Sequence, residues 1–248
     1  MHHRFYAPEL SEGQELVRLP PDEAEHLARV LRLRVGAVVQ VFDGRGRECR
    51  GAVEQIERGG VTVRVTGQMS PVPETVVRLI LAQAVLKGDA MDGVVRDATM
   101  LGISEFVPLL TDRSEVDSHR LQQSGRIARW RRIAVASAKQ CGRAVVPAIA
   151  DPLGLEQCLQ AVSAECRVLL VEPTAGSGHA TGVRDLPLLG IGSALLIVGP
   201  EGGWTDAETD CAMRAGCRAL TLGPRTLRAE TAPSVGLTVL QCLSGEFD

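Results

Sequence analysis

The pattern of apolar and polar positions along this 248-residue chain changes near residue 72. Before that point, short apolar runs separated by turn residues predict strands at Ala37–Asp43, Cys49–Ile56 and Val61–Val65. Pro20–Leu31 has prolines at its start, acids in its first turn and apolar residues at helical spacing, which predicts one helix. Short strands of this kind close their edges in a small antiparallel barrel, which is the fold we expect here.

From Val76 onward, apolar strand segments alternate with helical segments. Strands are predicted at Val76–Val85, Ile103–Leu109, Val145–Ile149, Val168–Val171, Ala194–Val198 and Ala219–Leu222. Helices are predicted at Asp89–Leu101, Leu121–Cys141, Leu155–Ala164, Asp206–Ala215 and Ala232–Leu243. This alternation is typical of an α/β fold with a mainly parallel sheet covered on both faces. Ser70–Pro73 is the best linker candidate, so we predict two domains, residues 1–72 and 73–248.

Composition adds little to this picture except by exclusion. The chain is 45% hydrophobic, enough for real cores, but it has no run of about 20 apolar residues and no apolar secretory segment at its N-terminus. We therefore expect no membrane association and a cytoplasmic location. The seven cysteines form no C-x-x-C pair and the five histidines no metal-ligand spacing. We therefore expect the thiols to be reduced and mostly buried, and we expect no bound metal.

Charge is concentrated in one segment although the net charge is only −3. Between Asp117 and Asp151 there is no acid, while basic residues stand at Arg120, Arg126, Arg129, Arg131, Arg132, Lys139 and Arg143. Helical spacing would place Arg129, Arg132, Lys139 and Arg143 on one face. A face without compensating acids favours a polyanion such as nucleic acid, and an ordinary solvated charged surface is the alternative.

Two glycine-punctuated segments, Gly199–Thr205 and Leu222–Ala232, each follow a predicted strand. In an open α/β sheet, ligands bind beyond the carboxyl ends of strands, and glycine lets the backbone approach them closely. Thr205 and Glu208 have the spacing of a capping box at the start of the next helix. Neither segment has the order of a P-loop or of a dinucleotide-binding fingerprint, so ATP hydrolysis and NAD chemistry are unsupported.

Gly199-Pro200-Glu201-Gly202-Gly203, followed by Leu222-Gly223-Pro224-Arg225-x-Leu227-Arg228-x-Glu230-Thr231-Ala232, resembles the signature of the RsmE family. These are bacterial 16S ribosomal RNA (uridine-N3) methyltransferases of the SPOUT class. Weaker matches fall in the right order at His3–Tyr6, at His26-Leu27-x-x-Val30-Leu31-Arg32, at Lys87-Gly88 and at Gln140–Arg143. The resemblance implies a PUA-like RNA-binding barrel followed by a SPOUT methyltransferase domain with a trefoil knot. It also implies a homodimer, S-adenosylmethionine as methyl donor, and 16S rRNA or the 30S subunit as substrate.

Site residues are carried over from the resemblance position by position. The donor site would comprise Val171, Glu172, Pro173, Gly199, Pro200, Glu201, Gly202, Gly203, Leu222, Gly223, Leu227, Thr231 and Ala232. Arg228 and Glu230 are the catalytic candidates, and a purely structural ion pair is the alternative. RNA contacts are expected at Arg4, Arg32, Lys87, Arg129, Arg132, Lys139 and Arg143.

One departure from the family concerns Asp97 and Met100, which stand where family members often carry lysine and glutamate. RNA contacts near that helix are therefore left open. Two other functions also stay open: a SPOUT methyltransferase with another RNA target, and a non-catalytic RNA-binding module that assists ribosome assembly.

Overall fold

The computed structural model describes residues 3–114, 116, 121, 123–173 and 182–247. These residues form two compact units. The first runs from the N-terminus to Glu74 and includes Val135–Val146, and the second comprises Thr75–Ala134 and the chain from Pro147 onward. The inclusion of Val135–Val146 in the first unit has no counterpart in the sequence pattern, and the boundary between residues 72 and 73 stays a prediction.

Five strands build the sheet of the first unit: β1 (His3–Tyr6), β2 (Leu16–Arg18), β3 (Val38–Phe42), β4 (Glu48–Glu57) and β5 (Gly60–Met69). Their order is β1-β3-β4-β5-β2, and every pair is antiparallel except β1 with β3. The three predicted strands are confirmed, and two of them extend further than predicted. The short strands β1 and β2 were not predicted.

Helix α1 (Pro21–Glu25) continues directly into a π-helical turn, His26–Val30. The predicted single helix is therefore confirmed, with a wider final turn. Leu27 on that turn is fully buried and belongs to the same apolar core as Phe5 and Val63 of the sheet. Burial of this face holds the helix against the strands.

Seven strands form the sheet of the second unit: β6 (Arg78–Ala84), β7 (Glu105–Leu110), β8 (Ala148–Ile149), β9 (Leu153–Gly154), β10 (Cys166–Leu170), β11 (Ser193–Val198) and β12 (Arg218–Leu220). Their order is β12-β10-β11-β6-β7-β8, β9 also pairs with β7, and all pairs are parallel. The parallel α/β prediction is confirmed.

The helices after α1 are α2 (Ala90–Met100), α3 (Arg126–Cys141), α4 (Leu155–Ala161), α5 (Asp206–Arg214) and α6 (Ala232–Leu243). Leu195 and Ile197 of β11 share a core cluster with residues of α4 and α5. Leu196, which points to the other face of the sheet, lies against Gly236 of α6. Helices thus cover both faces, as predicted.

Helix α3 ends at Cys141, so Arg143 lies beyond it and the predicted helical face of four cations is wrong at that position. The predicted helix runs from Leu121 to Cys141, and its second residue, Gln122, lies outside the described residues. In the part of the chain that the structure describes, no helix is long and apolar enough to cross a membrane.

Candidate active site

Three loops follow the carboxyl ends of neighbouring parallel strands in the second unit. Val171–Pro173 follows β10, Gly199–Gly203 follows β11, and Leu222–Ala232 comes after β12, with β10 between the other two strands. The Val171 N–H donates to the Leu220 carbonyl at 2.9 Å, which joins the first strand end to the third. The sequence motifs therefore meet at one edge of the sheet, where ligands bind in open α/β folds.

Side chains from other segments fix the backbone of the Gly199–Gly203 loop. Gln83 of β6 donates from Nε2 to the Gly199 carbonyl at 3.3 Å, and Arg113 donates from Nη1 to the Gly202 carbonyl at 2.9 Å. Glu201 accepts the Lys87 N–H at 3.2 Å through its own carboxylate. The loop is thus preorganised from three directions, which lowers the ordering cost of binding a ligand.

Two glycines of this loop are required by close packing. A Cβ on Gly199 would lie 3.0 Å from the indole of Trp204, and one on Gly202 would lie 3.1 Å from Cβ of Arg113. Trp204 also donates from its indole nitrogen to the Leu170 carbonyl at 2.9 Å. The glycines therefore let the loop sit tightly against the ends of β10 and β7.

The helix that follows this loop begins with the predicted capping box. Thr205 accepts the Glu208 N–H at 3.2 Å through its hydroxyl, and Glu208 accepts the Thr205 N–H at 2.8 Å. Glu208 also accepts the Asp112 N–H at 3.0 Å. The capping residues therefore anchor the segment after β7 as well as starting α5.

The third loop carries the catalytic candidates. Arg228 Nη1 lies 3.7 Å from Glu230 Oε1, and the side chains are 86% and 38% exposed, respectively. The Arg228 carbonyl accepts the N–H groups of Thr231 and Ala232 at 2.9 and 3.0 Å, which fixes the backbone at the start of α6. The guanidinium is thus free to reach a ligand, while its backbone is held.

Glu230 also borders a groove of about 610 Å³ in the second unit. Its lining includes Asp89 and Asp92 near the start of α2, Arg129 of α3, and Thr231 at the start of α6. Arg129 pairs with both aspartates, and Asp92 accepts the Trp130 indole N–H at 3.2 Å. The structure therefore brings one predicted RNA contact, Arg129, together with one predicted catalytic residue.

The loop between β6 and α2 is held from α3. Arg126 donates to the carbonyls of Leu86 and Gly88 at 3.0 and 3.3 Å and lies over the Trp130 ring. Burial lowers the pKa of Arg126, an effect that the nearby aspartates oppose. Lys87 in this loop is exposed.

Other predicted RNA contacts are engaged inside the first unit. Arg4 donates to the Glu48 carboxylate at 2.8 Å and to three carbonyls near the end of α3. Lys139 contacts Glu23 at 2.8 Å, and Arg143, which is 5% exposed, pairs with Glu74. Arg32 and, in the second unit, Arg132 are exposed.

Sequence analysis missed Gln83 and Arg113 as contacts of the glycine loop. Gln83 had a signal, because it is a polar residue within an apolar strand, and it is fully buried. Arg113 belongs to no motif. Its role depends on the sheet order, in which β7 and β11 lie on either side of β6, so that Arg113 after β7 reaches the loop after β11.

The buried thiols offer no nucleophile. Burial raises the pKa of Cys158 to about 12 and that of Cys217 to about 11. Both stay protonated near neutral pH, and the thiolate is the reactive form of cysteine.

Comparison with known proteins agrees with this architecture. Residues 19–66 match a model described as an RNA methyltransferase PUA domain, and residues 73–241 match an RNA methyltransferase domain. Ribosomal RNA small subunit methyltransferase E of Synechocystis is 32% identical over 92% of this chain and 73% of its own. The enzyme of that name from Neisseria gonorrhoeae, solved bound to S-adenosyl methionine, superposes with a TM-score of 0.89 at 30% identity over all of both chains.

A putative methyltransferase from Legionella pneumophila, solved with the bound cofactor SAM, gives the same TM-score at 30% identity over 98% of both chains. The family models account for most of the chain, and these likenesses extend over both units. The chain belongs to the ribosomal RNA small subunit methyltransferase E (RsmE) family, with the fold of its SPOUT-type structures.

Proposed function

We propose that this protein transfers a methyl group from S-adenosylmethionine to N3 of a uridine in 16S ribosomal RNA. The observation that carries the proposal is the meeting of three motif loops at the carboxyl ends of β10, β11 and β12, with Arg228 and Glu230 on the third loop. Membership of the RsmE family supports the reaction class, and the solved relatives bind this methyl donor.

The chain offers a fitting site for the donor. Gly199–Gly203 supplies closely packed backbone, and Leu222 and Leu227 add partly buried apolar surface. Gln83, beside this loop, keeps a buried side-chain oxygen that has no hydrogen-bond partner among the described residues. Backbone amides, apolar walls and one spare acceptor suit a flat heterocycle with polar edges. When bound, S-adenosylmethionine supplies an electrophilic methyl group on a sulfonium.

Arg228 and Glu230 would act on the acceptor base. Uridine N3 carries a proton that must leave as the bond to the methyl carbon forms. We assign Glu230 to accept that proton, either directly or through water, and Arg228 to stabilise the negative charge that spreads to the base oxygens. The high exposure of Arg228 leaves its guanidinium available to an incoming base.

We also propose that the protein acts as a homodimer on 16S RNA or on the 30S subunit. Val235 of α6 and Met100 of α2 are apolar side chains with 36% and 38% exposure, and a second copy would cover them. Sedimentation equilibrium tests the dimer directly, and a monomer at micromolar concentration would contradict it.

Substitution of Arg228 tests the catalytic assignment. We expect Arg228→Ala to slow methyl transfer by about a hundredfold, because one preorganised donor to developing charge is lost. Calorimetric affinity for S-adenosylmethionine should change less than twofold. Arg225→Ala is the matched control, because it removes an exposed arginine from the same loop and should leave the rate unchanged.

Methyl transfer at the full rate by Arg228→Ala would refute the catalytic role of Arg228. The pair of Arg228 with Glu230 would then be only structural. The alternative function, an RNA-binding assembly module without catalysis, predicts no saturable heat when wild-type protein is titrated with S-adenosylmethionine.

A further inference from the structure

Gln83 is a polar side chain in the buried, otherwise apolar part of strand β6. Its neighbours from Leu79 to Ala84 are apolar and buried, and Gln83 itself is fully buried. Burying an amide costs free energy unless its donors and its acceptor are paired. An apolar side chain of similar size would fill this position without that cost. A glutamine here therefore indicates a specific hydrogen-bonding role.

Two carbonyl groups fix the orientation of the Gln83 amide. Its Nε2 donates to the Ala84 carbonyl at 3.0 Å and to the Gly199 carbonyl at 3.3 Å. Both protons of the amide nitrogen thus have an acceptor. The reversed amide would place Oε1 against both carbonyl oxygens, which would repel it. The hydrogen bonds therefore decide which side of the amide group Oε1 occupies.

Oε1 of Gln83 is left as a buried acceptor. It has no hydrogen-bond partner among the described residues. Because Oε1 shares a carbon with Nε2, it lies next to the start of the Gly199–Gly203 loop. A buried acceptor that pairs with nothing is costly, so groups of this kind are satisfied by water or by a ligand. A ligand held by this loop would be within reach of Oε1.

Strand register shows which face of the sheet Gln83 belongs to. Gln83 lies beside Val198 of β11, and Leu81 lies beside Leu196. Side chains two positions apart on a strand share a face, so Gln83 and Leu196 are on the same side of the sheet. Leu196 lies against Gly236 of α6. Helix α6 therefore covers the face that carries Gln83.

Helix α6 runs antiparallel to β6, so it begins at the end of the strand where Gln83 lies. Just after the C-terminal end of α6, Glu246 accepts the Val76 N–H at 2.7 Å, and Val76 precedes β6. The other end of α6, at Ala232, follows directly on the loop that carries Arg228. Gln83 therefore lies beside the Gly199–Gly203 loop, on the side of the sheet where the third loop leads into α6.

Gln241 shows that a buried, unpaired oxygen does not by itself indicate a ligand. Its Nε2 donates to the Leu101 carbonyl at 2.6 Å, and its Oε1 also has no partner among the residues that the structure describes. Gln241, however, lies near the C-terminal end of α6, away from the carboxyl ends of the strands. The position beside the candidate donor site therefore distinguishes Gln83.

The partner of Gln83 Oε1 should be a neutral hydrogen-bond donor. A cationic amine in an apolar interior would need a carboxylate and not only an amide oxygen. Glu172 and Glu201, on the loops after β10 and β11, are exposed carboxylates and suit the charged amine of the methionine part. The adenosine part of S-adenosylmethionine has neutral donors, namely the adenine amino group and the ribose hydroxyls.

We propose that Gln83 Oε1 accepts a hydrogen bond from a neutral donor on the adenosine part of S-adenosylmethionine, either the adenine amino group or a ribose hydroxyl. This inference rests on the proposed function for its ligand. A ligand that lacks this donor leaves Oε1 unpaired, so Gln83 makes the site specific for adenosine. The same amide holds the Gly199 carbonyl through Nε2, which joins recognition of the ligand to the shape of the loop.

Calorimetric titration of the full chain with S-adenosylhomocysteine and its analogues tests this contact. S-Inosylhomocysteine has a carbonyl in place of the adenine amine, and the 2′-deoxy and 3′-deoxy analogues each lack a hydroxyl. We expect at least one analogue to bind wild-type protein about thirtyfold more weakly than S-adenosylhomocysteine, because Oε1 then faces no donor. In Gln83→Met this penalty should fall to about threefold. The analogue whose penalty falls identifies the donor group.

Two further variants control for indirect effects. Arg113→Ala removes a different contact of the same loop, so it should weaken the binding of every ligand alike and leave the wild-type penalty unchanged. Gln241→Met changes the other glutamine that has an unpaired oxygen, and it should leave both affinity and penalty unchanged. Gln83→Leu is a second apolar replacement, which should lose the penalty as Gln83→Met does.

A penalty of the same size in wild type and in folded Gln83→Met would overturn the inference. So would wild-type protein that binds all the analogues as tightly as S-adenosylhomocysteine. Absence of saturable heat with S-adenosylhomocysteine would overturn the inference together with the proposed function. These readouts use no methyl transfer, so failure of the wild-type protein to form 3-methyluridine would contradict the proposed function separately.

Discussion

Arg4 joins several elements of the first unit through a single side chain. Its guanidinium donates to the carbonyls of Ala138, Lys139 and Arg143 at 3.0–3.1 Å, pairs with Glu48, and lies 4.6 Å from the Phe42 ring centre. Carbonyls at the end of a helix have no partner within it, so a cation there is favourable. Arg4, a residue of strand β1, therefore caps the C-terminal end of helix α3 with its side chain.

We expect Arg4→Met to reduce the free energy of unfolding by about 3 kcal/mol, because Glu48 would be left as an unpaired carboxylate with a side chain only 6% exposed. Urea unfolding at neutral pH measures this change. The double variant Arg4→Met with Glu48→Leu should recover part of the loss, because the stranded charge is then removed too.

Arg29→Ala provides the comparison at an exposed pair. Arg29 and Glu25 have side chains 80% and 60% exposed, so this change should cost less than about 0.5 kcal/mol. Equal effects of Arg4→Met and Arg29→Ala would contradict the capping role.

At the scale of elements, the Gly199–Gly203 loop depends on a residue far away in sequence. Arg113 follows β7, and its donation to the Gly202 carbonyl at 2.9 Å spans 89 positions of the chain. We expect Arg113→Ala to weaken S-adenosylmethionine binding about fivefold to tenfold, because one charge-assisted hydrogen bond that holds the loop is lost. Isothermal titration calorimetry gives the affinity.

Arg214→Ala removes an exposed arginine from the last turn of α5 and serves as the control, with no expected change in affinity. Unaltered binding in Arg113→Ala would show that the loop holds its shape without this contact.

Elements with long periodic patterns could be predicted from sequence, and several of the shortest strands could not. Helix α6 has the bounds predicted for it, Ala232–Leu243, because its apolar positions repeat over three turns. Strands β1, β2 and β9 have four, three and two residues, too few for a period to appear. The two glycine segments could likewise be placed after strand ends from sequence, whereas the third loop, Val171–Pro173, came from the family resemblance alone.

Partners from distant segments were the part of the site that sequence could not supply. The stretch from Asp117 to Asp151 contains no acid between its ends. Nevertheless, Glu23, Glu74, Asp89 and Asp92 reach its cations from other segments. Only the tertiary structure could show this, because local charge patterns contain no information about contacts over such separations.

At the scale of the whole molecule, the net charge of −3 gives no general attraction for RNA. Pairing neutralises Arg4, Lys139 and Arg143 inside the first unit. RNA binding would therefore depend on a few exposed arginines, such as Arg32 and Arg132, and should fall steeply with salt.

The central claim is methylation of uridine N3 in small-subunit RNA. The most direct measurement incubates wild-type protein and S-adenosylmethionine with unmodified 16S RNA and, in parallel, with 30S subunits assembled from it, followed by nucleoside mass spectrometry. We predict 3-methyluridine in at least one of the two substrates, dependent on enzyme and methyl donor. Absence of 3-methyluridine from both would contradict the proposed function.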